Sequence, residues 1–164
     1  MSAGARAVAE TVTDPELPML TLADLGVLRD VSQAGDRVTV SITPTYSGCP
    51  AMAAMREDLL HALRDAGYQR VEVRTVLHPA WSTDWISDAG RRKLIEAGIA
   101  PPGRAPRAHS GPVPLDLVPP RARVCCPRCG SAETEETSRF GATACKALRR
   151  CRRCGEPFEQ IKEI

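Results

Sequence analysis

The chain has 164 residues, of which 43% are apolar and only 4% are aromatic, and its formal net charge is +2. This length accommodates one ordinary domain, or one compact domain with a small appendage. Residues 1–120 carry 12 Lys/Arg against 14 Asp/Glu and residues 121–164 carry 10 against 6, which is far from the dense basic field of most nucleic-acid-binding proteins.

The seven cysteines are too many to be incidental. The N-terminal residues lack the apolar core of a secretory signal, and no apolar run reaches the roughly 18 residues of a transmembrane helix. We therefore expect a cytoplasmic protein with no membrane partner. In that reducing compartment, paired CxxC motifs indicate metal binding rather than disulfides.

The N-terminal part of the chain favours a short helix followed by a β-hairpin. Residues 3–12 suit the helix, which Pro15 ends because proline disfavours helical backbone at the residue before it. Residues 27–31 and 37–43 suit the two strands of the hairpin. The second strand is the clearer one, since its apolar residues alternate with polar ones and share one buried face: Val38, Val40 and Ile42.

A helix and a third strand complete this unit. Residues 50–66 favour a helix, because Pro50 suits its first position, Gly67 suits its stop, and apolar side chains recur at helical spacing. Residues 71–77 favour a strand. The order β-β-α-β predicts an α+β fold over residues 1–98, with a small three-stranded sheet and helices.

The composition then changes twice. Residues 99–123 contain seven prolines, which predicts an extended linker. Residues 124–164 hold six of the seven cysteines, which predicts a separate, small metal-binding domain.

Two matched CxxC-Gly turns carry the strongest chemical signal in this sequence. They supply four cysteines, with 21 residues between the two turns: Cys126, Cys129, Cys151 and Cys154. Two residues between the cysteines of a turn let both sulfurs face one ion, and the glycine that follows accepts the backbone twist. Four sulfurs make a closed tetrahedral site that suits structural Zn²⁺, so we predict a C-terminal zinc ribbon whose folding depends on the metal. The same ligands also suit iron.

Two further cysteines lie in the predicted ribbon. Cys125 adjoins a predicted ligand, and we assign it no role. Cys145 is interpreted as a small buried residue of the ribbon. The alternative is an accessory thiol whose pKa is lowered by the nearby cations Lys146, Arg149 and Arg150.

Cys49 is the only cysteine outside the ribbon, and it directly precedes Pro50 at the start of the predicted helix. Free N–H groups and the helix dipole favour a thiolate there, although a small buried side chain is an equal interpretation. His61 lies too far along the helix to complete a nucleophile–base pair. A lone thiol of this kind can instead hold one corner of a metal centre shared with a partner or a second subunit.

Asp14 and Glu16 flank Pro15. The simplest interpretation is a capped turn, and the alternative is a pair of hard metal ligands or a docking contact near Cys49. The sequence contains no phosphate-binding glycine loop, no HExxH and no dinucleotide fingerprint. It also lacks the Glu-x-x-His pair of di-iron oxygenases, so we expect no oxygenase catalysis from this chain alone.

Several short motifs occur in a fixed order along the chain: DPELP at 14–18, DLG at 24–26, TPTYSGCP at 43–50, PAW at 79–81, TDW at 83–85, FG at 140–141 and TACKAL at 143–148. Together with the CxxC pairs they closely resemble the PaaD (PaaJ) family of accessory subunits in the bacterial phenylacetyl-CoA ring-1,2-epoxidase system. Residues 1–98 alone resemble the wider SufT-like family of iron–sulfur assembly factors.

The resemblance implies an accessory protein of phenylacetate catabolism that does not itself catalyse epoxidation. Its implied partners are a di-iron oxygenase and an iron–sulfur flavin reductase, whose cluster or metal centre it would help to mature. The implied transfer residues are Cys49, Asp14 and Glu16, with iron or a transient iron–sulfur cluster as cargo. The alternative is a stoichiometric structural or regulatory subunit. A nucleic-acid-binding ribbon is disfavoured because glutamates offset its arginines.

Overall fold

A computed structural model of the protein describes residues 4–46, 48–103 and 123–163. The chain forms two compact units, Met1–Lys93 and Leu94–Ile164, each with its own β-sheet. This arrangement confirms the predicted α+β fold, with a three-stranded sheet in the first unit and a ribbon in the second.

The first unit is built around a hairpin and a crossover helix. Its elements are α1 (Ala5–Ala9), β1 (Leu28–Ala34), β2 (Arg37–Ile42), α2 (Met52–Asp65), β3 (Arg70–Thr75), a 3₁₀ turn (Thr83–Trp85) and the start of α3 (Asp88–Glu96). β1 pairs with β2 in antiparallel fashion, and β3 pairs with the other edge of β2 in parallel. Two parallel neighbours need a crossover connection, and α2 supplies it.

The core of this unit follows the periodicity of the sequence. The alternating residues Val38, Val40 and Ile42 of β2 are at most 1% exposed. Helix α2 buries side chains at helical spacing: Met55, Leu59 and Leu63. The helix begins at Met52 rather than at residue 50, because the preceding residues form a turn in which the N–H of Met52 donates to the Cys49 carbonyl (3.4 Å).

Gly26 allows the segment before β1 to pack against the tryptophan loop. Its φ is +69°, and a Cβ there would lie 2.6 Å from the Trp85 Cβ and 2.7 Å from the Trp85 carbonyl oxygen. The Trp81 indole N–H donates to the Leu25 carbonyl at 2.9 Å and fixes the loop from the other side. The backbone of this region therefore has no room for a side chain at residue 26.

We expect Gly26→Ala to lower the free energy of unfolding by about 2–4 kcal/mol, through left-handed backbone strain plus overlap with Trp85. Gly35→Ala is the matched control, since Gly35 has a similar φ of +62° but nothing within 4 Å of an added Cβ. Urea unfolding of the two variants checks this. Equal losses of stability would show that the Trp85 contact contributes nothing.

The second unit is a four-stranded sheet in the order β4-β7-β6-β5. Its strands are β4 (Ile99–Ala100), β5 (Thr134–Ser138), β6 (Lys146–Cys151) and β7 (Pro157–Ile161). β5, β6 and β7 are antiparallel, whereas β4 runs parallel to β7. A small cluster forms its core: Ala100, Val124, Cys126, Cys151 and Phe158.

The predicted linker differs from the structure at its first residues. Ile99 and Ala100 belong to the predicted linker, but they form β4 and are 7% and 1% exposed. Burying these two apolar side chains is more favourable than leaving them in an extended, solvated segment. Residues 104–122 of the predicted linker lie outside the described residues.

Candidate metal centre

The two CxxC turns share one backbone design. In each, the N–H of the first cysteine donates to the carbonyl five residues on, and the N–H of the glycine four residues on donates back to the first cysteine's carbonyl. Gly130 and Gly155 adopt φ values of +71° and +78°, the left-handed conformation that glycine tolerates best. The sequence thus builds two equivalent turns that present sulfurs on one side.

The four sulfurs of these turns converge. The Sγ atoms of Cys126, Cys129, Cys151 and Cys154 all lie within 4.8 Å of one another. Cys126 lies 3.8 Å from Cys154, and Cys129 lies 3.6 Å from Cys151. A tetrahedral ion with Zn–S bonds of about 2.3 Å places its sulfurs about 3.8 Å apart. The donor set therefore fits Zn²⁺, with all four positions filled by protein ligands.

Proton affinities in this cluster show that the sulfurs need a cation. The backbone N–H of Cys154 donates to the Cys151 sulfur and lowers the pKa of Cys151 to about 7. The pKa of Cys154 is raised to about 12: the Glu156 N–H favours its thiolate, but burial and the neighbouring sulfurs outweigh that effect. Four thiolates cannot share this space without a positive ion, which Zn²⁺ supplies when bound.

We expect zinc binding to release protons and to strengthen as pH rises, because thiols must ionise before they ligate. The affinity should change by at least about tenfold per pH unit between pH 6 and 8. Competition with a chromogenic chelator measures it, and Cys125→Ser should follow the same curve. An affinity that does not vary with pH would contradict the four-thiolate assignment.

Two arginines inside the turns were not assigned a role from the sequence. Arg128, in the first turn, forms an ion pair with Glu156 just beyond the second turn, and this contact raises the pKa of Arg128. Arg152, in the second turn, pairs with Glu135 of β5 at 2.7 Å. An arginine inside each CxxC was the available signal. These pairs tie the turns to each other and to the sheet.

The remaining ribbon cysteines stand outside the sulfur cluster. Cys125 is exposed, and Cys145 is half-buried with its Sγ 3.0 Å from the Thr143 hydroxyl. Lys146 pairs with Glu159 at 3.0 Å, so its charge is already matched. Arg149 donates to the side chains of Gln160 and Thr134. The cations proposed to activate Cys145 are therefore engaged elsewhere, which favours its interpretation as a structural residue.

The structure places Cys49 in the turn before α2. Cys49 is half-buried, and its N–H donates to the Tyr46 carbonyl at 3.2 Å. Asp14 is 5% exposed, and its Oδ1 accepts the N–H groups of Glu16 (2.8 Å) and Leu17 (2.7 Å), as a capped turn requires. Over the described ranges the ribbon cluster is the only set of three or more such ligands, so Cys49, Asp14 and Glu16 do not form a ready-made site.

Family comparisons agree with both units. Residues 110–162 match the model of the PaaD zinc beta ribbon domain, and residues 5–75 match that of an iron–sulfur cluster assembly protein. A component of the "Putative 1,2-phenylacetyl-CoA epoxidase" of Escherichia coli (strain K12) is 45% identical over 163 residues, which is 96% of this chain and 90% of that protein. The chain belongs to the PaaD family.

Two further relatives correspond to part of this PaaD-family chain. An "Fe-S protein maturation auxiliary factor" of Porphyromonas gingivalis (strain ATCC BAA-308 / W83) is 33% identical over 86 residues, covering 51% of this chain and 81% of that protein. A solved DUF59 domain of Bacillus anthracis has a TM-score of 0.51 and 28% identity, covering 55% of this chain and 87% of that domain. No helix in the described ranges is long and apolar enough to span a membrane.

Proposed function

We propose that this accessory protein of phenylacetate catabolism matures the iron–sulfur cluster or metal centre of its partner subunits in the cytoplasm. The observation that carries the proposal is the joining of two units. One matches an iron–sulfur assembly model, and the other matches a ribbon model specific to PaaD. A general assembly unit joined to a system-specific ribbon suits a factor that serves one enzyme complex. The partners would be the di-iron oxygenase and the iron–sulfur flavin reductase.

Cys49 is the residue we propose to handle the cargo. It is the only thiol of the first unit, and its position before α2 leaves it half-buried rather than enclosed. One thiolate cannot complete the coordination of iron, so the remaining ligands must come from a partner or from a second copy of this chain. Release is then a ligand exchange, in which a partner's thiolate replaces that of Cys49 and no oxidant or reductant is needed.

Asp14 and Glu16 support this site in different ways. Asp14 uses one carboxylate oxygen to hold the turn that contains Glu16, so we propose a positioning role for it. Glu16 is half-exposed and remains a candidate docking or ligand group. Zinc in the ribbon would be structural, because four cysteines fill the tetrahedral positions and leave none open for chemistry.

The iron content of the partner subunits tests this function. In a strain that lacks this chain, we expect the reductase and oxygenase subunits to accumulate normally but to carry several-fold less iron. Supplying the wild-type gene should restore the metal. Fully metallated, active partners in the deletion strain would overturn the maturation role.

A structural or regulatory subunit is the second candidate, and one observation favours it. The ribbon exposes 70% of Phe140 on a well-fixed loop, which suits a lasting contact. Co-purification at a constant ratio with the other subunits would support this role. Loss of partner iron on deletion would instead support maturation.

A further inference from the structure

The tip of the β5–β6 hairpin exposes two large apolar side chains. Phe140 is 70% exposed and Leu148 is 38% exposed. Leu148 of β6 lies opposite Ser138 of β5, and Phe140 follows Ser138 by two residues. Both apolar side chains therefore belong to the same end of the hairpin. An isolated exposed apolar residue is ordinary, but an aromatic ring this exposed on a folded hairpin needs a reason.

The loop that carries Phe140, residues 139–145, is fixed by hydrogen bonds. The Ser138 hydroxyl accepts the N–H of Phe140 (3.2 Å) and donates to its carbonyl (2.8 Å). Gly141 donates to the Lys146 carbonyl, and Lys146 donates to the Thr143 carbonyl. An aromatic residue held this firmly loses little conformational entropy on binding, which is the property of an interface anchor.

The β7 end closes the same loop and adds charge. The Lys162 N–H donates to the Cys145 carbonyl, and its ammonium donates to the Ala144 carbonyl at 2.9 Å. That ammonium lies 4.7 Å from the centre of the Phe140 ring. No carboxylate within the described ranges pairs with Lys162, whereas four other cations of the ribbon have carboxylate partners: Arg128, Lys146, Arg149 and Arg152.

We propose that Phe140, Leu148 and Lys162 form a docking surface for a partner subunit of the epoxidase, one that presents a carboxylate beside apolar side chains. The apolar pair accounts for the hydrophobic contact, and the unmatched ammonium accounts for the carboxylate. This inference rests on the proposed function only for the identity of the partner. A nucleic-acid ligand fits less well, because Leu148 offers no stacking face and the Lys162 ammonium already lies against the ring.

Binding of the full-length, zinc-loaded protein to each purified partner subunit tests this surface. We expect Phe140→Ser to weaken binding by about tenfold or more. Lys162→Gln should weaken it by about threefold and reduce its salt dependence. Leu77→Ser is the matched control, because Leu77 is 62% exposed in the first unit, and it should bind like wild type. Zinc content and circular dichroism establish that each variant is folded.

Three results would overturn this surface. These are equal affinity of the folded Phe140→Ser variant and wild type, no binding of wild type to any partner subunit, and loss of oligonucleotide binding as the sole effect. The maturation role is judged separately by the iron content of partners in the deletion strain. A chain that matures its partners but ignores Phe140→Ser would lose only the docking proposal.

Discussion

Replacing Cys151 by serine is expected to remove zinc from the ribbon and unfold the second unit. Cys151 is fully buried, and it belongs both to the sulfur cluster and to the five-residue core. A core this small cannot stabilise the unit without the ion. Structural zinc contributes about 10–16 kcal/mol of apparent binding free energy in comparable small domains, and loss of one ligand removes much of it.

Metal analysis and amide spectra of Cys151→Ser measure this effect. Zinc should fall from one per chain towards zero, and the ribbon's dispersed amide signals should collapse while those of the first unit persist. Cys125→Ser is the control, since Cys125 is exposed and outside the cluster, and it should keep its zinc. If Cys151→Ser retained a full zinc complement, the four-cysteine assignment would be wrong.

Replacing Cys49 by serine is expected to abolish maturation while leaving the fold intact. A serine hydroxyl is a poor ligand for iron compared with a thiolate, so the proposed cargo site would lose its one soft donor. The side chain is half-buried and its turn is held by backbone hydrogen bonds, so the fold should tolerate the change. Epoxidase activity in cells should fall by about tenfold or more if transfer depends on this ligand.

Complementation of a deletion strain measures the Cys49 effect. Cys145→Ser is the matched control, because Cys145 is also half-buried and outside the zinc cluster. It should restore growth on phenylacetate, and Cys49→Ser should not, although both proteins bind one zinc. Full rescue by Cys49→Ser would remove this thiol from the mechanism.

The parts of the fold that sequence predicted well are those with a short, repeating pattern. Strand β2 alternates, helix α2 repeats its apolar side chains every three or four residues, and the two CxxC turns repeat the same backbone design. Strand β4 has only two residues and therefore no period, so its pairing with β7 could not be inferred. The start of α2 was also misplaced, because Pro50 suits a turn as well as a helical first position.

The candidate sites divide in the same way. The zinc ligands were predictable because spacing within each turn fixes where the sulfurs point. Contacts between distant residues were not predictable: the Asp24 carboxylate accepts from the Lys93 ammonium at 2.6 Å across 69 residues. Burial opposes ionisation of Asp24, but hydrogen bonds from Lys93 and Thr21 outweigh it and lower its pKa. What surrounds Cys49 depends on such long-range contacts, and sequence spacing does not encode them.

Anaerobic purification followed by zinc and iron analysis of wild type and Cys49→Ser tests the central claim most directly. The account predicts about one zinc per chain in both proteins, held by the four ribbon cysteines. It also predicts iron, with or without sulfide, in wild type alone after anaerobic reconstitution. Iron bound equally by both proteins, or by neither, would contradict the assignment of Cys49 as the cargo ligand.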